Sequence, residues 1–205
     1  QYANLDRYRA LRRREGMADE RIEERIAELL AQRAKHRDPN RRALLDRVRS
    51  LNVTLASHDD RTAEEIAENV ADGIAISEFP VTLEAAQAAH ASGMQVIAGA
   101  PNIVRGGSHS GNVNAAELLQ AKLVDAYASD YVPASLVEAA FQTTRMAEIL
   151  LPDAIAMVSE HPARMARLTD RGRIAAGQRA DLVRVTLLDT LPVVRQVWRA
   201  GERVA

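Results

Sequence analysis

Four polar clusters follow short apolar runs along the 205-residue chain: Ser57-His58-Asp59-Asp60, Ser77-Glu78-Phe79-Pro80, Gly99-Ala100-Pro101-Asn102 and Ser129-Asp130-Tyr131. The first offers an imidazole beside carboxylates, which suits a metal ligand whose tautomer is fixed by an acidic neighbour. The structural alternative is that Asp59 or Asp60 caps the next helix while His58 merely packs. Asp130 has the chemistry to ligate a cation and to take a proton from water, and its competing role is again a helix cap. Glu78 is suited to substrate binding, against the plainer reading of a surface carboxylate ahead of Pro80.

A fifth segment is richer. Asn102-Ile103-Val104-Arg105-Gly106-Gly107-Ser108-His109-Ser110-Gly111-Asn112 combines glycines with Arg, Ser, His and Asn. Glycines let a backbone approach a ligand closely, and the polar side chains are donors suited to anions. A phosphate grip and an ordinary flexible loop are equally compatible with this composition. It is not a nucleotide-binding Walker loop, because no Gly-Lys-Ser/Thr follows. His36, His90 and His161 read as an exposed, a helical and a helix-junction histidine, and carry no assigned chemistry.

Position turns these clusters into a site. Apolar runs at Asn52–Ala56, Ile74–Ile76, Gln95–Ala98 and Val124–Ala128 read as strands. Between them, Thr62–Ala71, Leu83–Ala91 and Ala115–Ala121 read as amphipathic helices. Strands alternating with helices at this interval predict four βα units and a parallel sheet. Such folds place chemistry at the carboxyl ends of their strands, where all four clusters lie. Residues 1–50 are highly charged and read as two or three helices, broken at Gly16 and at Asp38-Pro39-Asn40, with Ile22, Ile26, Leu29 and Leu30 on the apolar stripe. Residues 51–168 form the α/β part, closing with helices at Ser135–Leu150 and Pro152–Glu160 and a short one ending at Leu168. Residues 169–205 carry strand-like runs at Ala180–Thr186, Pro192–Arg199 and Arg203–Ala205, read as a separate antiparallel layer.

Composition narrows the function classes. With 27 basic and 28 acidic residues, the chain has no global field to gather nucleic acid or an anionic membrane. Any anion it takes must be gripped locally. The absence of cysteine excludes disulfides, thiolate nucleophiles and Cys-ligated metals. No apolar run approaches the roughly 20 residues that span a bilayer, and the chain reads as cytoplasmic.

Several of these segments together resemble the amidohydrolase superfamily. They are Ser57-His58, Ser129-Asp130, His161-Pro162-Ala163 and the run from Gly172 through Ile174, Gly177 and Ala180-Asp181-Leu182-Val183. Within it, Ala56–Asp60, Ile76–Pro80, Gly99–Asn102, Arg105–Asn112 and Ala128–Pro133 are similar to its phosphonate-metabolism branch over nearly the whole chain. The resemblance implies the carboxyl-terminal half of a (β/α)₈ barrel, four βα units in all, with part of a small β-sandwich. It also implies a divalent-metal hydrolase, with zinc as the metal, that cleaves pyrophosphate from a phosphorylated ribose phosphonate. Carried over residue by residue, His58 and Asp130 become metal ligands and Asp130 the group that handles the attacking water. Glu78, Asn102, Arg105, Gly106, Gly107, Ser108, His109 and Asn112 become substrate contacts. The superfamily's sixth-strand histidine is replaced near Glu78. Its first-strand His-x-His pair and a fourth-strand ligand have no counterpart here, so these residues alone are expected to lack a competent site. A deaminase or cyclic amidase of the same superfamily is the rival enzyme reading. A non-catalytic half-barrel that binds anions and pairs as a homodimer through its sheet edges is the rival outside catalysis.

Overall fold

A computed structural model describes residues 5–107 and 112–205 and divides the chain into two compact units, Gln1–Val53 and Thr54–Ala205. In the first unit, helix α1 (Leu5–Arg14) turns at Gly16 (φ 84°) into α2 (Asp19–Val48). Arg9 reaches across to Glu23 at 2.6 Å, and Arg13 meets Asp19 at 2.6 Å, tying the two helices by charge. Ile22 and Ile26, one turn apart, are buried. Leu29 and Leu30 are exposed, so the apolar stripe is shorter than their spacing predicts. Pro39 does not end a helix either: α2 runs through it without interruption. A proline forfeits one ladder hydrogen bond and crowds one carbonyl, and here Ala, Leu, Arg and Glu on either side are strong enough helix formers to continue past it.

The second unit contains a four-stranded parallel sheet in the order β1 (Ala56–His58), β2 (Ile76–Glu78), β3 (Gln95–Gly99), β4 (Ala126–Ala128). The fold is therefore α/β with a parallel sheet, as the alternation of apolar runs and amphipathic stretches predicts. Helices α3 (Ala63–Ala71) and α4 (Leu83–Ala91) are each opened by a threonine, Thr62 and Thr82, whose side chain accepts the backbone N–H of the residue three ahead. Neither Asp59 nor Asp60 provides the cap of α3, which removes the structural alternative weighed for that pair. Ile66 of α3, Ala85 and Ala89 of α4, and Met94 and Val96 around β3 form one buried cluster.

β1 and β2 lie two or more residues later than their most apolar stretches, so His58 and Glu78 end their strands instead of following them. Two helices then follow β3, α5 (Ala100–Arg105) and α6 (Ala115–Gln120). α7 (Ser135–Met146), α8 (Leu151–Ala156) and α9 (Glu160–Met165) follow β4. Ala98, Ile103, Leu119, Tyr127, Ala139 and Met157 join β3 and β4 to α5, α6, α7 and the end of α8 in a second core cluster.

A three-stranded antiparallel sheet closes the chain: β5 (Leu182–Leu188), β6 (Leu191–Arg199) and β7 (Glu202–Arg203). Ala200 and Gly201, at φ 52° and 86°, make the two-residue β6–β7 turn, the left-handed pair that matches strand twist. The Asp181 carboxylate accepts the Ala200 N–H at 2.8 Å and pins that turn to the start of β5. Among the described residues no helix is long and apolar enough to cross a membrane.

Candidate functional site at the carboxyl ends of the parallel strands

Parallel register brings the first two clusters together. His58 pairs with Glu78 as Ser57 pairs with Ser77, so both functional side chains leave the same face at the same level. The His58 Nδ1 lies 2.9 Å from Glu78 Oε2. A carboxylate there accepts the Nδ1 proton, which leaves Nε2 as the outward nitrogen; Asp59 Oδ2 stands 3.6 Å from it. The Phe79 ring meets the imidazole edge-on, centroids 5.4 Å apart at 67°. More than half of the His58 side chain is open to solvent. The imidazole is thus oriented on one side and accessible on the other.

Asp59 and Phe79 hold positive φ, 60° and 56°, immediately after their strands. In each case the backbone N–H bonds to the neighbouring strand, Asp59 to Glu78 O at 3.0 Å and Phe79 to Ile97 O at 2.9 Å. A left-handed step costs of order 1 kcal/mol for a residue with a Cβ, and here it turns both chains sharply over the rim.

The segment after β3 differs from the loop its composition predicts. Asn102 and Arg105 lie in α5, where Pro101 occupies the first turn, a position that needs no N–H donor. Gly106, at φ 81°, ends the helix as its left-handed cap. The Asn102 carbonyl accepts the N–H of Gly106 at 3.1 Å and of Gly107 at 3.0 Å. The two glycines therefore serve the helix end with their amides. Asn102 packs its own amide so near Gly99 that a Cβ there would stand 3.2 Å from Nδ2. Asn102, Asn112, Asp59 and Phe79 line one small cleft. Ser108 and His109 lie outside the described residues.

Arg105 extends from the end of α5 to the loop after β4, where its guanidinium donates to the Tyr131 hydroxyl at 3.1 Å. Tyr131 follows Asp130, which adopts φ 47° and is exposed two residues beyond β4. The Asp130 carboxylate has no hydrogen-bond or ion-pair partner among the described residues. The structure brings His58 to Glu78 and ties Arg105 to the segment carrying Asp130, but His58 ends one outer strand and Asp130 follows the other. Three strand spacings, about 14 Å across a flat sheet, separate those strands. Among the described residues no three His, Cys, Asp or Glu side chains are grouped to hold a metal ion. What is present fits parts of a metal site, an oriented imidazole and an unengaged carboxylate, without completing one.

Asp60 takes a role other than the helix cap weighed for it from its position. Asp60 is buried and accepts from Ser57 Oγ at 2.5 Å, Ser77 Oγ at 2.5 Å and Asn69 Nδ2 at 2.8 Å. The signal was in the repeat of apolar residue, serine, ionisable residue at Ala56-Ser57-His58 and Ile76-Ser77-Glu78. Two serines at matching positions of adjacent strands call for a shared acceptor.

A model of the amidohydrolase family matches residues 3–205. The chain belongs to the amidohydrolase family. Its members generally use divalent metals. The chain is 44% identical over 207 residues to the α-D-ribose 1-methylphosphonate 5-triphosphate diphosphatase of Escherichia coli, covering 100% of this chain and 55% of that protein. It thus spans little more than half the length of the curated relative it matches. An amidohydrolase from Thermotoga maritima superposes with a TM-score of 0.58 at 22% identity, over 74% of this chain and 43% of that one. The N-isopropylammelide isopropylaminohydrolase of Burkholderia multivorans does so with a TM-score of 0.51 at 19% identity, over 77% and 48%. These two share the amidohydrolase fold with this chain. At such identities they carry nothing about its substrate.

Proposed function

We propose that this amidohydrolase chain is the carboxyl-terminal half of a (β/α)₈ barrel with part of a small β-sandwich. In this reading it belongs to a cytoplasmic hydrolase that cleaves the 5-triphosphate of α-D-ribose 1-methylphosphonate 5-triphosphate and releases pyrophosphate. The observation that carries this reading is the 44% identity to the Escherichia coli diphosphatase along the entire chain. The strand-end geometry supports it, because imidazole, carboxylates and guanidinium all face one rim.

His58 and Asp130 would hold a divalent cation, zinc being the ion suited to imidazole and carboxylate ligands, with further ligands supplied from the part of the relative that this chain does not span. The cation, when bound, supplies Lewis acidity toward phosphoryl oxygens. Glu78 holds the Nδ1 proton of His58 and keeps Nε2 turned outward. Asp130 orients the attacking water and accepts its proton as the bond between the α and β phosphates breaks. Arg105, released from Tyr131, pairs with phosphoryl oxygens through its planar fork. Asn102, Asn112, Ser108 and His109 add neutral donors, and Gly106 and Gly107 leave room for the polyphosphate beside them.

The test is product identity. The enzyme in which this chain is accompanied by the amino-terminal portion of its relative should turn a ribosyl 5-triphosphate over to pyrophosphate. Release of orthophosphate alone, or inertness to triphosphates with turnover of a cyclic amide, would overturn the assignment.

A further inference from the structure

We infer that Asp60 is a positioning residue that sets the His58–Glu78 pair through the two serines of the adjoining strands. The inference deepens the site reading above, while its evidence is geometric. Asp60 lies on the loop after β1, and its side chain is buried beneath the helix layer, where Asn69 of α3 donates to Oδ1 at 2.8 Å. Its other oxygen takes both serine hydroxyls at 2.5 Å, Ser57 from β1 and Ser77 from β2. Those serines are register partners, one residue before the partners His58 and Glu78.

Side chains alternate across a strand, so the serines lie on the helix side of the sheet and the His58–Glu78 pair on the other. A single oxygen thereby fixes the separation and level of the two strands immediately behind the pair. The same loop is stapled twice more to the segment after β2. Val81 N–H donates to Asp60 O at 2.9 Å, and Thr82 Oγ to Arg61 O at 2.7 Å. Short three-residue strands have few ladder bonds with which to hold register, and a one-residue slip would send His58 and Glu78 to opposite faces. The buried carboxylate supplies the constraint the short ladder lacks. Its side-chain partners Ser57, Ser77 and Asn69 are neutral donors, so its removal leaves the buried Ser77 hydroxyl and the Asn69 amide without this acceptor, and the part-buried Ser57 hydroxyl with only its 3.2 Å contact to Ile76 O.

The consequence is specific to the imidazole. With Asp60 in place, Glu78 stays 2.9 Å from Nδ1 and the Nδ1–H tautomer is enforced. Nitrogen-15 NMR of the histidine-labelled chain reads this directly, with the His58 signals assigned by their disappearance in His58→Gln. The expected result is a downfield Nδ1–H proton in the wild type and its loss in Asp60→Ala, the ring reverting to a mixture of tautomers. Asp60→Asn keeps the signal, since its amide oxygen can face both serines and a flipped Asn69 can meet its NH₂. Asn69→Ala, which leaves the serine clamp whole, lowers the melting temperature with the signal kept. Should Asp60→Ala fail to fold, Ser77→Ala removes one arm of the clamp and should weaken the same resonance. A folded Asp60→Ala, or a Ser77→Ala variant, with the wild-type His58 signal would overturn the inference. No substrate is used, so this outcome is independent of whether the diphosphatase assignment stands.

Discussion

At the scale of single residues, the proposed chemistry rests on two side chains whose roles separate experimentally. Asp130 is exposed, lies beyond the last strand residue and holds no partner among the described residues, so its replacement disturbs little packing. Asp130→Asn in the complete enzyme is expected to lower kcat by roughly 10²–10⁴, the range general-base removal costs, while circular dichroism and melting temperature stay as in the wild type. Unchanged turnover would defeat the assignment. Arg105 contributes charge and fork geometry to the anion, and none of its atoms belongs to the proposed ligand set. Arg105→Ala should weaken triphosphate binding by about 1.5–3 kcal/mol, the worth of charge-assisted hydrogen bonds, and leave metal affinity measured by titration calorimetry unaltered. An equal loss of both would place Arg105 elsewhere in the mechanism. The imidazole and its rim carboxylates were legible in the sequence because residue type and strand-end position suffice to find them. Asp60 was not, since a pair of adjacent aspartates does not say which one turns inward.

Helices and strands carry a second set of consequences. Tyr127 of β4 is buried with its hydroxyl 2.8 Å from Thr143 of α7, and burial pushes its phenol up to about 12. The unfolded phenol titrates near 10. The folded state therefore holds its proton where the unfolded chain releases it, and the associated stability is complete below pH 10 and is lost as pH rises toward 12. Each pH unit in that window removes about 1.4 kcal/mol. Tyr127→Phe should be less stable by about 1 kcal/mol at pH 8, for the lost hydrogen bond, and should show a flatter alkaline limb in denaturant melts. Parallel limbs would contradict the burial argument. Gly172 offers a packing test: at φ 105° a Cβ would stand 2.9 Å from both Ala163 Cβ and Glu160 Cα. Gly172→Ala combines backbone strain with overpacking, together roughly 2–4 kcal/mol, and should lower Cm in urea without changing m. Most helices and strands were readable from period and turn chemistry, and the misses share a cause. Pro39 and the α5 segment carry residues that usually break structure, and each sits where neighbouring helix formers or a first-turn position makes it tolerable.

At the scale of the whole molecule, the placement of the outer strands decides what the chain can do. β1 ends in His58, β4 leads to Asp130, and among the described residues each of these two strands has a neighbour on one side only. A closed barrel has eight strands and no edges, so in the proposed barrel both site-bearing strands would pair with strands from the portion of the Escherichia coli relative that this chain does not span. Closing the sheet would also shorten the flat-sheet separation between His58 and Asp130, because strands at the ends of an arc converge across its mouth. Metal stoichiometry follows from this geometry. The chain by itself, with no three-ligand group among its described residues, should retain less than one equivalent of zinc after gel filtration. The same chain accompanied by the relative's amino-terminal portion should retain at least one, as measured by inductively coupled plasma mass spectrometry. His58→Gln and Asp130→Asn should each lower that occupancy. A full equivalent held by the 205 residues alone would show that their own rim, including Asp59 and Glu78, completes the site, and would remove the need for strands from that portion of the relative.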